Sequence, residues 1–186
     1  MRDVRYDLTL PTDFLDPEVA LLFGALEDGT REWKSELALD GEPSPAELQR
    51  PLFSKGHSMG ALLLHIADVE IEWVETRIFG IARDFIEEKF MGGLDTEMDV
   101  SVWPDPPQLN LTEHFHILAA ARARTRRLLA EVEADRPFEH KGDEYTVRWV
   151  LNHLIGHEAY HAGQILLIRQ AVDRIYGPLT RASSPS

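Results

Sequence analysis

At 186 residues, with 44% hydrophobic and 27% charged residues, the chain is long enough for one domain with a buried core and is ordinary in composition for a globular protein. Its formal net charge of −13 argues against nucleic acid and anionic membrane surfaces as partners, because phosphate-bearing surfaces reward Lys and Arg. It contains no cysteine, so disulfides, thiolate metal ligands and a cysteine nucleophile are excluded, and any metal must be held by His, Asp or Glu.

The opening stretch MRDVRYDLTL lacks the apolar core of a signal peptide and no segment approaches a membrane span, so a cytoplasmic protein is expected. In chain order, four segments carry amphipathic helical spacing. The first starts at Asp16-Pro17-Glu18, an N-cap with Pro at the first helical position, and runs to about residue 39. The second covers roughly residues 54–80, with 82–90 as a candidate continuation. The third opens near Thr112-Glu113 and runs to about residue 135, and the fourth covers about 146–174. Breakers separate them: Asp40-Gly41-Glu42-Pro43-Ser44-Pro45, the Gly- and Pro-bearing stretch 91–110, and a short turn over 136–145 that contains Lys141-Gly142-Asp143. A strand is expected, if anywhere, in the Pro-rich stretch. Four long helices with one long connection predict an all-α four-helix bundle, a single domain over 1–176 with a frayed tail over 177–186. The connection after the second helix, with Trp103 in it, is expected to roof a site at one end of the bundle.

In the fourth segment Val147, Val150, Leu151, Leu154, Ile165, Ile168 and Val172 form one helical stripe, and His157 and His161 lie within it, one turn apart. Imidazoles at i and i+4 project from neighbouring turns on one face and can grip one ion; without a partner their desolvation is costly. In the second segment Leu62, Ile66, Val69 and Trp73 face inward, with His65 at the edge of that stripe. If the two helices are neighbours, His65, His157 and His161 could form a three-histidine site with open positions, as catalytic zinc requires. The competing reading of His65 is a hydrogen-bonded core histidine. His153 drifts off the stripe, His57, His114, His116 and His140 are expected in solvent (His114 or His116 being candidates to approach the site), and Trp73, Trp103 and Trp149 are read as packing.

The run His157-Glu158-Ala159-Tyr160-His161 also matches H-E-x-x-H, the zinc-protease signature. The extended form of that motif fails, because Gln164 stands at its Gly and Leu167 at its last His. No Glu follows Glu158, and Asp173 lies about 18 Å along the same predicted helix from His161, at 1.5 Å per residue. A zinc protease is therefore excluded, and a third ligand must come from another helix.

Two stretches resemble the DinB/YfiT-like family of bacterial metal-binding four-helix bundles. One is Leu64-His65-Ile66-Ala67-Asp68 with Trp73 beyond it, and the other runs from Asn152 to Ile165 and places His-x-x-x-His one residue before Gly163-Gln164. The chain departs from the family's frequent Arg before Gly-Gln, having Ala162 there. The resemblance implies a divalent metal on His65, His157 and His161; three imidazoles accept several transition metals, of which zinc is the first expectation, with nickel or iron behind it. It also implies a homodimer. Relatives of that kind include transferases that join low-molecular-weight thiols such as bacillithiol or mycothiol to electrophiles. With no cysteine in the chain, such a thiol must arrive as a cosubstrate. A metal-dependent hydrolase and a non-catalytic metal-binding stress-response protein are the rival expectations. Asp68 or Glu72 would supply a fourth ligand if the site were closed. Glu158 is the candidate catalytic residue, as a proton relay or as a carboxylate that orients a ligand, against a plainer reading on the helix surface or behind the ligands without a chemical role.

Overall fold

The structure is a computed structural model and describes residues 7–39, 41–53, 56–83 and 106–176. These residues are mostly helical, with one small two-stranded sheet. Of the expected roof over 91–110, residues 91–105, including Trp103, lie outside the described residues, as do residues 84–90 of the candidate continuation over 82–90 and the tail 177–186.

Helix α1 spans Pro17–Ala38; Asp16 caps it, its carboxylate accepting from the Glu18 N–H at 2.7 Å, and Pro17 needs no such partner. A four-residue helix, α2 (Pro45–Leu48), forms inside the first breaker, where the Ser44 and Glu47 side chains reciprocally cap each other's backbone N–H groups. Helix α3 spans Met59–Ile71 and is capped by Ser58; all thirteen of its residues are buried, so it is the central rod. It runs on as a π-helical segment, Glu72–Ile78, that ends at Gly80. Gly80 adopts φ +67°, and its N–H and that of Ile81 donate to the Thr76 and Glu75 carbonyls. Residues 81–83 are not helical, so the helix does not carry straight on toward 90.

Helix α4 spans Leu111–Leu129 and stops short of residue 135. The chain after it turns inward to bury Val132 and Ala134, and the Asp16 carboxylate accepts from the Ala134 N–H at 2.7 Å. The expected turn over 136–145 is a β-hairpin, β1 (Pro137–His140) antiparallel to β2 (Asp143–Thr146), with Phe138 opposite Tyr145. Lys141 and Gly142 both have positive φ, as the two-residue hairpin turn demands, and strands of four residues are too short to show in the sequence as alternation. Helix α5 spans Val147–Tyr176.

Helix α1 packs along α5, and α3 packs against both α4 and α5. Two apolar clusters fill the interior. One gathers Val19, Phe23, Leu26, Val74, Leu129, Val150, Leu151 and Leu154; the other gathers Trp33, Leu37, Met59, Leu62, Ile66, Leu118, Ile165 and Val172. Between them every long helix contributes polar groups: Thr30 from α1, His65 and Glu70 from α3, Arg122 from α4, and His157, Glu158 and His161 from α5. A buried layer of this kind must satisfy itself internally, and that layer holds the site.

Candidate metal centre

His65 lies near the middle of α3 and faces the turn of α5 that carries His157 and His161. Single ring nitrogens from the three residues lie within 4.8 Å of one another. The ring centroids are 4.8 Å apart for His65 and His157, 4.7 Å for His65 and His161, and 4.4 Å for His157 and His161. His65 is 5% exposed and His157 half-buried, so the cluster is closed from below and open on one side.

The Nε2 atoms of His65 and His157 are 3.0 Å apart. Two zinc–nitrogen bonds of about 2.0–2.1 Å at a tetrahedral angle put their nitrogens about 3.4 Å apart, so this pair is spaced almost as a shared ion would space it. The Nδ1–H of His161 donates to Gln164 Oε1 at 2.7 Å, which leaves the Nε2 lone pair free for the cluster. Burial, and then the neighbouring imidazoles, push His65 and His157 down to about 3, and burial also lowers His161. Uncharged rings are the form that ligates a metal, so the donor set fits a divalent cation.

Asp68 and Glu72 do not close the site. Asp68 pairs with Arg83, and Glu72 pairs with Arg77 and Arg83 at 3.0 Å each. Among the described residues, the three histidines form the one cluster with metal-ligand spacing.

Glu158 is 4% exposed, which rules out the helix surface and leaves its expected alternative, a buried carboxylate behind the histidines. Its Oε1 accepts from Trp33 Nε1 at 2.8 Å and from Thr30 Oγ1 at 2.5 Å, and its Oε2 accepts from Arg122 at 2.7 Å. Arg122 also donates to both oxygens of Glu70, at 2.9 and 3.0 Å. Burial raises Glu70 against the pull of Arg122. One guanidinium thus serves two carboxylates directly behind the turn that carries His157 and His161. Sequence reasoning passed over Arg122, Glu70, Thr30 and Trp33; the signal was Glu70, which with His65 and Asp68 breaks a helix otherwise apolar on every side and calls for a buried cation opposite.

The other histidines divide. His153 stacks on Trp149 at 5.0 Å and 5°, one ring beyond His157. His116 is exposed, as expected. His57 and His140 are half-buried, the first near enough for its charge to act on His65 and His161, the second packed on Trp73. His114 is 2% exposed rather than solvated: its Nδ1–H donates to the Asn110 carbonyl at 2.9 Å, against the backbone near Gly60 and apart from the cluster. Trp73 and Trp149 pack with Tyr145 and His153, as the packing reading holds.

Residues 36–174 match the family model for mycothiol S-transferase, a span that takes in all three histidines and Gln164. The chain belongs to the mycothiol S-transferase family. Within that family setting it is also similar to the uncharacterized protein YkkA of Bacillus subtilis strain 168, 27% identical over 175 residues that cover 88% of this chain and 93% of YkkA. Membership of the mycothiol S-transferase family supports thiol transfer with a low-molecular-weight thiol as substrate, and the histidine cluster could hold a metal ion. No helix among the described residues is long and apolar enough to cross a membrane.

Proposed function

We propose that this chain is a metal-dependent S-transferase that joins a low-molecular-weight thiol to an electrophilic carbon, with His65, His157 and His161 as the metal ligands. One observation carries the reading: ring nitrogens of three histidines from two helices converge within 4.8 Å in a chain of the mycothiol S-transferase family. The same reading takes the four long helices as a DinB/YfiT-type four-helix bundle, a single domain over 1–176 that pairs as a homodimer, and takes zinc as the first choice of ion, before nickel or iron.

A divalent cation held by three uncharged rings keeps its full positive charge and lowers the pKa of a thiol that reaches it. The chain's own residues prepare that place. His65 closes the floor against water, Gln164 holds His161 in the ligating tautomer, and the open flank at His157 admits substrate. Transfer forms a bond from the sulfur lone pair to the electrophilic carbon; the S–H proton departs to solvent, and the leaving group takes the electron pair of the bond that breaks. Glu158 is assigned to positioning rather than to proton relay, since both its oxygens are occupied by Thr30, Trp33 and Arg122.

Because the chain has no cysteine, a free-thiol titration reads the cosubstrate alone. Mycothiol or bacillithiol incubated with a terminal epoxide should be consumed faster with zinc-loaded protein than with chelator-treated protein. Ester cleavage with no thiol consumption would overturn the transferase reading in favour of a hydrolase.

A further inference from the structure

The α3–α5 seam is chemically different on the two sides of the histidine cluster. Toward the C-terminal end of α3 stand Asp68, Glu72, Arg77 and Arg83 in ion pairs, with Trp73 and His153. Toward its N-terminal end a cavity of about 230 Å³ opens, walled by Leu52, Phe53, Leu62, Leu167 and Ile168. Among the described residues, its polar lining side chains are His57 and Gln164.

The cavity and the cluster share a wall. Leu62 lies one turn before His65 on α3, and Gln164, whose carbonyl accepts from His161 at 2.7 Å, lies one turn after His161 on α5. Phe53 and Leu167 stand 70% and 61% exposed at the lip. Large apolar side chains left in water around a concave surface beside a reactive centre are a feature of ligand sites.

Polarity selects the occupant. A water-soluble thiol rich in hydroxyl and charged groups would lose its hydration against this wall and find few partners. A hydrocarbon would gain by burial. An apolar cavity of about 150 Å³ suffices for benzene, so this one has room for a single substituted ring or a short alkyl chain.

We propose that this pocket seats the apolar substituent of the electrophile, with its reacting carbon toward the histidine cluster, while the polar cosubstrate approaches from the ionic side. The proposal rests on the transferase reading and fixes its second substrate as a hydrophobic electrophile.

The test uses zinc-loaded full-length protein and two series of equal chain length. Binding of 1-alkanols from two to eight carbons, followed by calorimetry, should tighten about fourfold per methylene and level off once the pocket is full. Initial rates with mycothiol and terminal epoxides should give kcat/KM values that climb the same ladder. Leu167→Asp, a change at an exposed position, should retain its zinc yet weaken the longer alkanols more than tenfold and flatten the epoxide ladder. Leu39→Asp, at an exposed site away from the pocket, should leave both ladders intact. A flat alkanol series, or a Leu167→Asp variant that matches wild type, overturns the pocket assignment even where thiol consumption depends on metal. A steep alkanol series without metal-dependent thiol consumption instead overturns the transferase reading, and with it the electrophile as occupant.

Discussion

Gln164 determines which nitrogen of His161 faces the cluster. Its carbonyl oxygen accepts from Nδ1–H at 2.7 Å, so the ring cannot rotate or exchange tautomer without losing a bond. Hydrogen-bond partners of metal ligands typically account for 10- to 100-fold in affinity. Gln164→Ala should therefore weaken zinc binding by about 10- to 100-fold in a chelator competition, and Gln164→Glu, which keeps an acceptor oxygen, should restore most of it. Equal losses in the two variants would mean that Gln164 acts on packing instead. The histidines themselves were legible in the sequence, because an i,i+4 pair of imidazoles inside an apolar stripe is costly to bury unless something binds it. The role of Gln164 was not, since the same spacing of residue types arises on any helix surface. His114 misled for a different reason. It takes its buried place by packing against the backbone near Gly60, a contact between distant segments that helical periodicity cannot report.

The turn of α5 that carries His157 and His161 is fixed from behind by one guanidinium. Arg122 on α4 bonds Glu70 on α3 and Glu158 on α5, and Thr30 on α1 also contacts both Arg122 and Glu158. Removing one member of a buried ion pair leaves an uncompensated charge and costs about 3–5 kcal/mol, whereas well-packed apolar replacement of the whole set is often neutral. Arg122→Ala should accordingly lower the unfolding free energy by about 3–5 kcal/mol in urea titration. The triple variant Glu70→Leu, Arg122→Met, Glu158→Met should lie much closer to wild type. A triple variant less stable than Arg122→Ala would contradict this account of the layer. The starts of α1 and α5 were legible to within a residue, because Asp16-Pro17 and the apolar stripe of α5 are local signals. The hairpin and the short helix α2 were not: each is four residues per element and held by turn or capping geometry, too brief for periodicity to register. Nor does any local pattern announce the π-helical turn that follows α3.

Across the whole molecule, two apolar clusters are divided by a polar layer to which all four long helices contribute. The histidine triad is the part of that layer that opens outward, and the Arg122 network is the part that stays closed. On the proposed function, this arrangement accounts for charged groups deep in a core that purely apolar packing would fill more cheaply, since a metal centre needs rigid ligands from separate rods. The mostly helical class and the inward-facing histidines of α3 and α5 could be read from the sequence because each depends on patterns within one helix; that His65 meets the α5 pair followed only if those two helices were neighbours, an arrangement the family resemblance implied. The partition of the core could not, because it exists only once four helices are set side by side. The central claim is that three imidazoles hold one ion, and elemental analysis of protein purified without a histidine tag tests it most directly. Wild type should carry about one equivalent of a divalent transition metal per chain, and His65→Ala, His157→Ala and His161→Ala should each lose it. Stoichiometric metal retained in His65→Ala or His161→Ala would contradict the assignment.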